Sequence, residues 1–278
     1  MHLSQDDQTA LAELEARLKL LLPPAYADSY ETLNPAPMKS AGLKFDLQGE
    51  VAWNEIWGSF CDLALAGGPP HKGALLGPAS AGDVDAHPEQ YDRVVQEVCR
   101  GVEMVTSMPC EPAETPGWVR VECYSATMAA WLLRAIVTEN VAARATGTML
   151  DLPVAPSFRL DREIKNIVTV SAKTSHYWLE HMPRAQQRAI AELLASLDRV
   201  SPLLTPMEPA AGWTGVECVD APAAIWMMRA LVAQNVLARR EARTLFVPLN
   251  PETDPGGVRV WSAVARVQQL AHLRHRQS

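Results

Sequence analysis

GWVRVECYSATMAAWLLRAIVTENVAARATGTMLDLPVAP, residues 117–156, reads again as GWTGVECVDAPAAIWMMRALVAQNVLARREARTLFVPLNP, residues 212–251. The shift is gapless, 95 residues from Gly117 to Gly212, and 18 of the 40 positions are identical. Self-similarity at a fixed offset marks one supersecondary unit used more than once, and it constrains the architecture before any single residue is weighed. It also separates residues the fold needs twice from residues that occur once.

Each copy reads strand, helix, strand. Residues 118–123 and 213–219 are short and valine-rich, and residues 148–153 and 244–248 form the second strands. Ser125 and Asp220 fall where an N-cap is wanted, and Pro222 sits in a first turn, where its missing N–H costs little. Each helix is expected to run about twenty residues, with Arg144 and Arg239 near its negative end and Gly147 as a C-terminal stop. A weaker third copy precedes these two: a shift of 74 lays Trp57 on Trp131, Gly73 on Gly147 and Leu76 on Leu150, and brings residues 43–46 near the first strand. Further helical stretches are expected at 88–108, at 162–197 with a break at Pro183, and at 258–275.

Strands that alternate with helices imply crossovers and a mainly parallel sheet. The expected fold is therefore α/β, with three βαβα repeats at about 41–110, 111–205 and 206–278. They are arranged with pseudo-threefold symmetry or in a doubly wound sheet. Residues 1–40 supply an N-terminal helix and a proline-rich loop ahead of this single α/β domain.

Composition narrows the partners. A net charge of −7 argues against nucleic acid and anionic membrane, whose phosphates need a basic surface. The N-terminus lacks a basic region and a small-residue cleavage site, and no apolar run approaches the roughly 20 residues of a membrane span. Five cysteines form no CxxC pair, which reads as reduced thiols in a cytoplasmic protein. No nucleotide, haem or iron–sulfur motif is present; a divalent metal is conceivable but not favoured, and the cofactor is left unknown.

Among the residues that recur, Glu122 and Glu217 end the first strands, each followed by a cysteine, Cys123 and Cys218. Arg134 and Arg229 lie in the following helices, three residues after Trp131 and Trp226. One reading pairs each glutamate with its helix arginine and places each tryptophan between helix and sheet. The other takes the glutamates, with Asp46 of the third copy, as carboxylates converging at the strand ends, where open parallel sheets bind ligands. Asn140 and Asn235 also recur, and are expected to serve packing.

The residues that occur once point elsewhere. Ala66-Gly67-Gly68-Pro69-Pro70-His71-Lys72-Gly73 departs from the helix-ending sequence used at the same junction in the other copies. Glycine lets the backbone approach a ligand, proline stiffens the loop, and His71 and Lys72 supply a titratable group and a cation for a carboxylate or phosphate. The bland reading is a helix stop and a rigid turn. Cys61 is the cysteine least explained by the repeat and the first candidate nucleophile. Residues 83–87 (DVDAH) alternate metal-ligand types, but they also look like a helix entrance with proline at its first position. Lys173, His176 and Glu180 share one helix face, flanked by Tyr177 and His181. Ser171 and Ser175 interrupt the apolar stripe, so this helix is a candidate wall for a polar cavity.

Two functions fit. The first is an enzyme acting on a small anionic molecule by acid–base or thiol chemistry. His71, Glu122, Glu217 and Cys61 would be its catalytic groups, and Gly67, Gly68, Lys72, Arg134, Arg229, Lys173, His176 and Tyr177 its binding groups. The second is a non-catalytic accessory or assembly protein whose tryptophans and proline-rich segment meet a partner chain or a second copy.

Overall fold

Ser125 and Asp220 do cap the two repeated helices. Both have extended backbones, and their side chains accept the N–H of Met128 at 3.1 Å and of Ala223 at 2.7 Å. Such caps contribute about 1 kcal/mol each. The helices then stop after 13 and 12 residues, at Thr138 and Val232, well short of the expected length. Asn140 and Asn235 follow with φ of 62° and 65°. Asparagine tolerates this left-handed region better than most residues with a Cβ, so the repeated asparagines reverse the chain. Gly147, also left-handed at φ 60°, turns a hairpin rather than ending a helix.

These features belong to a computed structural model that describes residues 5–22, 42–55, 74–208 and 211–277. In chain order the helices are α1 (Gln5–Leu21), α2 (Ala81–Ala86), α3 (Pro88–Thr106), α4 (Ala126–Thr138), α5 (Lys165–His176), α6 (Arg184–Val200), α7 (Ala221–Val232) and α8 (Val258–Gln277). The strands are β1 (Cys110–Pro112), β2 (Trp118–Glu122), β3 (Arg144–Thr146), β4 (Met149–Pro153), β5 (Trp213–Glu217), β6 (Arg239–Glu241) and β7 (Thr244–Pro248). Two π-helical turns, Leu160–Ile164 and Tyr177–His181, flank α5.

The expected parallel sheet of three βαβα repeats is overturned. Two small sheets form instead, ordered β1-β2-β4-β3 and β5-β7-β6, and every strand pair in them is antiparallel. The physical reason lies in the early helix stop. It releases residues for an extra strand, β3 or β6, between the helix and the strand read as its successor. One extra strand inverts direction, so β4 returns antiparallel to β2, and β7 to β5. Arg144 and Arg239 accordingly lie in strands, not in helix ends. Parallel pairing survives as isolated bridges, Leu76 to Val141 and Leu204 to Val236. Among the described residues of the expected third copy, the strand at 43–46 reduces to a single bridge, Phe45 to Val51, followed later by α2 and α3.

The chain divides into two compact units, residues 29–183 and residues 1–28 with 184–278. In each, the 95-residue shift carries strand partners onto strand partners. Trp118 faces Pro153 as Trp213 faces Pro248, and Arg144 faces Asp151 as Arg239 faces Phe246. The repeated glycine that opens each copy has a steric cause. A Cβ on Gly117, which has φ 85°, would lie 2.4 Å from the carbonyl oxygen of Ala79; one on Gly212 would lie 2.9 Å from that of Glu208.

In the first unit the core gathers Met128, Trp131, Leu132, Leu150, Leu152 and Ile167, all fully buried. In the second, α1 buries Leu11, Leu14, Leu18 and Leu21 and packs on α6, α7 and α8. Arg266 holds Asp7 at 2.7 Å, tying α8 to α1. Among the described residues no helix is long and apolar enough to cross a membrane.

Candidate functional site

In each unit the helix after the last strand lays a side chain against the repeated tryptophan. Trp178 packs on Trp131 with ring centroids 5.4 Å apart, and Tyr177 stacks on it at 6.0 Å. In the second unit the corresponding partner of Trp226 is Arg274, whose guanidinium carbon is 5.9 Å from the indole. Aromatic rings fill the first space. An arginine and smaller neighbours leave the second open.

The opening is a cavity of about 490 Å³, lined by Glu217, Cys218, Trp226, His272, Arg274 and His275 among others. Its volume is that of a small-molecule site. One wall is the end of β5 with the first turn of α7, where orphan N–H groups gather. The other is the last turn of α8, which carries Arg274, His275 and Arg276. Glu217 is exposed at the rim, held by Arg243 Nε at 3.0 Å and by the Thr244 hydroxyl. Arg274 also reaches Glu15, at 3.7 Å. An apolar indole floor with cations and a carboxylate at its edge can hold a molecule with an apolar body and an anionic group.

A second cavity, of about 460 Å³, lies in the first unit between Phe45, Val94 and Phe158. Its carboxylate Glu97 accepts from the Trp53 indole at 2.9 Å and pairs with Arg100 at 2.7 Å. That chemistry is committed to holding the fold.

The sequence-derived candidates separate accordingly. Glu217 joins the cavity, whereas Glu122 lies exposed at the end of β2 in the other unit. Neither expected glutamate–arginine pair is formed as read. Arg134 is buried and donates to the carbonyl of Ala130 at 2.7 Å, Arg229 is half-buried on α7, and Glu217 pairs with Arg243. Asp46 spends one oxygen on the backbone N–H groups of Gln48 and Glu50, closing its own turn. His71, Lys72, Gly67, Gly68 and Cys61 lie outside the described residues.

Lys173 and His176 lie in the last turn of α5, and Tyr177 opens the π-helical turn that follows it. Lys173 pairs with Glu139, the residue that caps the C-terminus of α4, at 2.8 Å, with both side chains 13% exposed. His176 faces His181, Nε2 to Nε2 at 3.0 Å. Burial, and then the neighbouring His181, pull His176 below the ordinary imidazole value, while Glu180 opposes them. Of the two serines read as a polar interruption, Ser171 keeps a buried hydroxyl with no hydrogen-bond partner among the described residues, while Ser175 and its neighbour Thr174 donate to the carbonyls of Ser171 and Val170 within α5. The hydroxyls of Thr174 and Ser175 are satisfied locally.

Cys110, Cys123 and Cys218 are poor nucleophiles. Burial pushes Cys123 up to about 12 and raises Cys218. Cys110 is raised further, first by its contact with Cys99, Sγ to Sγ at 3.3 Å, and then by burial. Among the described residues no group of three or more His, Cys, Asp or Glu is placed to hold a metal ion, DVDAH included. There, Asp83 closes a capping box with Ser80 at the start of α2.

Sequence reasoning missed Trp226 as a site residue because its copy, Trp131, is core. It missed His272, Arg274 and His275 as well. Their signal was present in HLRH, residues 272–275, two imidazoles and a guanidinium on a stretch read only as helical. No family model, curated protein or solved structure matches the chain, so the chemistry of the site rests on its own geometry.

Proposed function

We propose that this protein is an enzyme acting on a small carboxylate- or phosphate-bearing molecule held in the cavity beside Trp226. The observation that carries this reading is Arg274 set over the indole at 5.9 Å, with His272, His275 and Glu217 lining the same space. The guanidinium fork suits a planar oxyanion, and the indole takes the ligand's apolar body. Glu217, its carboxylate oriented by Arg243 and Thr244, serves as the base, and an imidazole of α8 serves as the acid. The reaction is a proton transfer, with bond breakage or rearrangement, next to the bound anionic group. The raised thiols leave acid–base chemistry as the favoured course among the described groups.

The test is an NMR titration of the full chain with a panel of small carboxylates and phosphates, read at the Trp226 indole N–H. Binding is expected to shift that resonance, and Arg274→Ala is expected to weaken binding at least about tenfold, the loss of one charge-assisted contact. Glu217→Gln should keep the ligand and lose turnover. An indole resonance that no anion in the panel moves at millimolar concentration rejects the reading.

One observation favours the accessory-protein alternative. Val258 and Trp261, on the first turn of α8, are 66% and 43% exposed. A partner recovered by the wild-type chain and lost by Trp261→Ala, with no anion bound, would support it.

A further inference from the structure

His176 and His181 are five residues apart, a spacing that in an α-helix places side chains about 140° apart around the axis. They nevertheless face each other, because the chain from Tyr177 to His181 winds as a π-helix, whose turns close on residue i+5. The extra residue in the turn is what puts the two rings together. Such single π-turns are less favourable than continued α-helix and recur at functional sites.

The meeting is through nitrogen. The Nε2 atoms are 3.0 Å apart, with the rings inclined at 60° and their centroids 4.9 Å apart. Two imidazoles bound to one first-row metal ion by bonds of about 2.0–2.1 Å hold their nitrogens about 2.9 Å apart at the right angle of a square-planar or octahedral site and about 3.3 Å apart in a tetrahedral one, so the observed spacing lies within this range. We propose that His176 and His181 form a two-histidine site for a divalent transition-metal ion of the zinc, nickel or copper class, which imidazole ligands suit. The half-buried His176 anchors the ion, and the exposed His181 leaves its outer positions open to water or a further ligand. Behind the site, the stacking of Tyr177 on Trp131 and the packing of Trp178 fix the backbone of the turn. Glu180, between the two histidines in sequence, adds a negative charge that favours a cation.

The experiment uses the full chain, without a histidine affinity tag, stripped with a chelator and titrated with Zn²⁺ and Ni²⁺ by calorimetry. One equivalent is expected to bind, and His176→Ala and His181→Ala should each weaken it at least about tenfold. The control His87→Ala, in an exposed helix entrance, should leave binding unchanged. Imidazole ¹⁵N spectra of the unaltered chain provide a readout independent of variant folding. The Nε2 signals of His176 and His181 should both move with the first equivalent of Zn²⁺. If neither ion binds, if both alanine variants bind as the wild type does, or if other histidines respond first, the pair is only a hydrogen-bonded contact and the proposal fails.

Discussion

Arg274 stands against Trp226 where the first unit places Trp178 against Trp131, and this exchange of an indole for a guanidinium accompanies an open cavity in one unit and a filled core in the other. The two tryptophans occupy the same position of the 95-residue repeat. Only their partners differ, and the partners come from helices outside the repeated stretch.

Arg274→Trp therefore imitates the closed unit. It is expected to abolish anion binding while changing stability by no more than about 1 kcal/mol, since it trades an exposed ion pair for aromatic packing. Thermal unfolding alongside the indole titration checks both halves. Retained binding would show that the ligand sits elsewhere.

Asp151 is buried between Arg120 and Arg144, at 2.8 Å from each, and its counterpart in the second unit is Phe246, packed under Arg239. Asp151→Ala leaves two arginines without their shared partner and should lower the urea midpoint, by an amount limited by the solvent that reaches both guanidinium groups. Arg120→Gly combined with Asp151→Phe copies the second unit, where Gly215 makes room for the ring. This double variant should recover at least half of that loss. If it is no better than Asp151→Ala, the two sheets do not share a packing solution.

Asn235 holds φ 65° and donates from its amide to Asp198 and to the carbonyl of Ser201. Asn235→Gly loses the hydrogen bonds alone, whereas Asn235→Ala also takes on left-handed strain. Alanine should be the less stable of the two by about 1 kcal/mol. Equal midpoints in denaturant would mean that the backbone angle carries none of the requirement.

Cys123, raised to about 12 by burial, should resist iodoacetamide at pH 8 in the folded chain and react in urea. Peptide mass spectrometry over time distinguishes the two. Equal rates in both solvents would contradict the burial.

Glu163 is held below the usual carboxylate range, first by its hydrogen bond from Arg159. A carboxylate depressed in the folded state binds fewer protons there than when unfolded. Its contribution is thus complete above the ordinary value of 4.5 and is lost as pH falls through the lower folded value. Glu163→Gln should flatten the acid limb of the stability curve and leave neutral pH little changed. The effect is small, because Arg159 is more than half exposed.

Local readings fared best where one residue type answers one local demand. The caps at Ser125 and Asp220, the helix entrance at Pro88 and the break near Pro183 were all legible for that reason. The asparagines were seen to recur, but their left-handed angle was not, because the helices were expected to run past them. Lys173, His176 and Glu180 were read on one helix face with Tyr177 and His181 on neighbouring faces, and the meeting of His176 with His181 was not seen, since an α-helical count cannot anticipate a π-turn.

By itself the sequence determined that two stretches 95 residues apart solve the same problem. Ser125 and Asp220 meet one local demand with different side chains, and the demand was legible because a cap depends on contacts near in the chain. Only the tertiary structure decided that the sheets are antiparallel, since strand direction turns on whether a three-residue strand forms between helix and last strand. It alone decided which of the two buried tryptophans has a cavity beside it, because α5 with its π-turn and α8 share no sequence likeness. What fills the space beside an indole depends on whichever helix folds back over it.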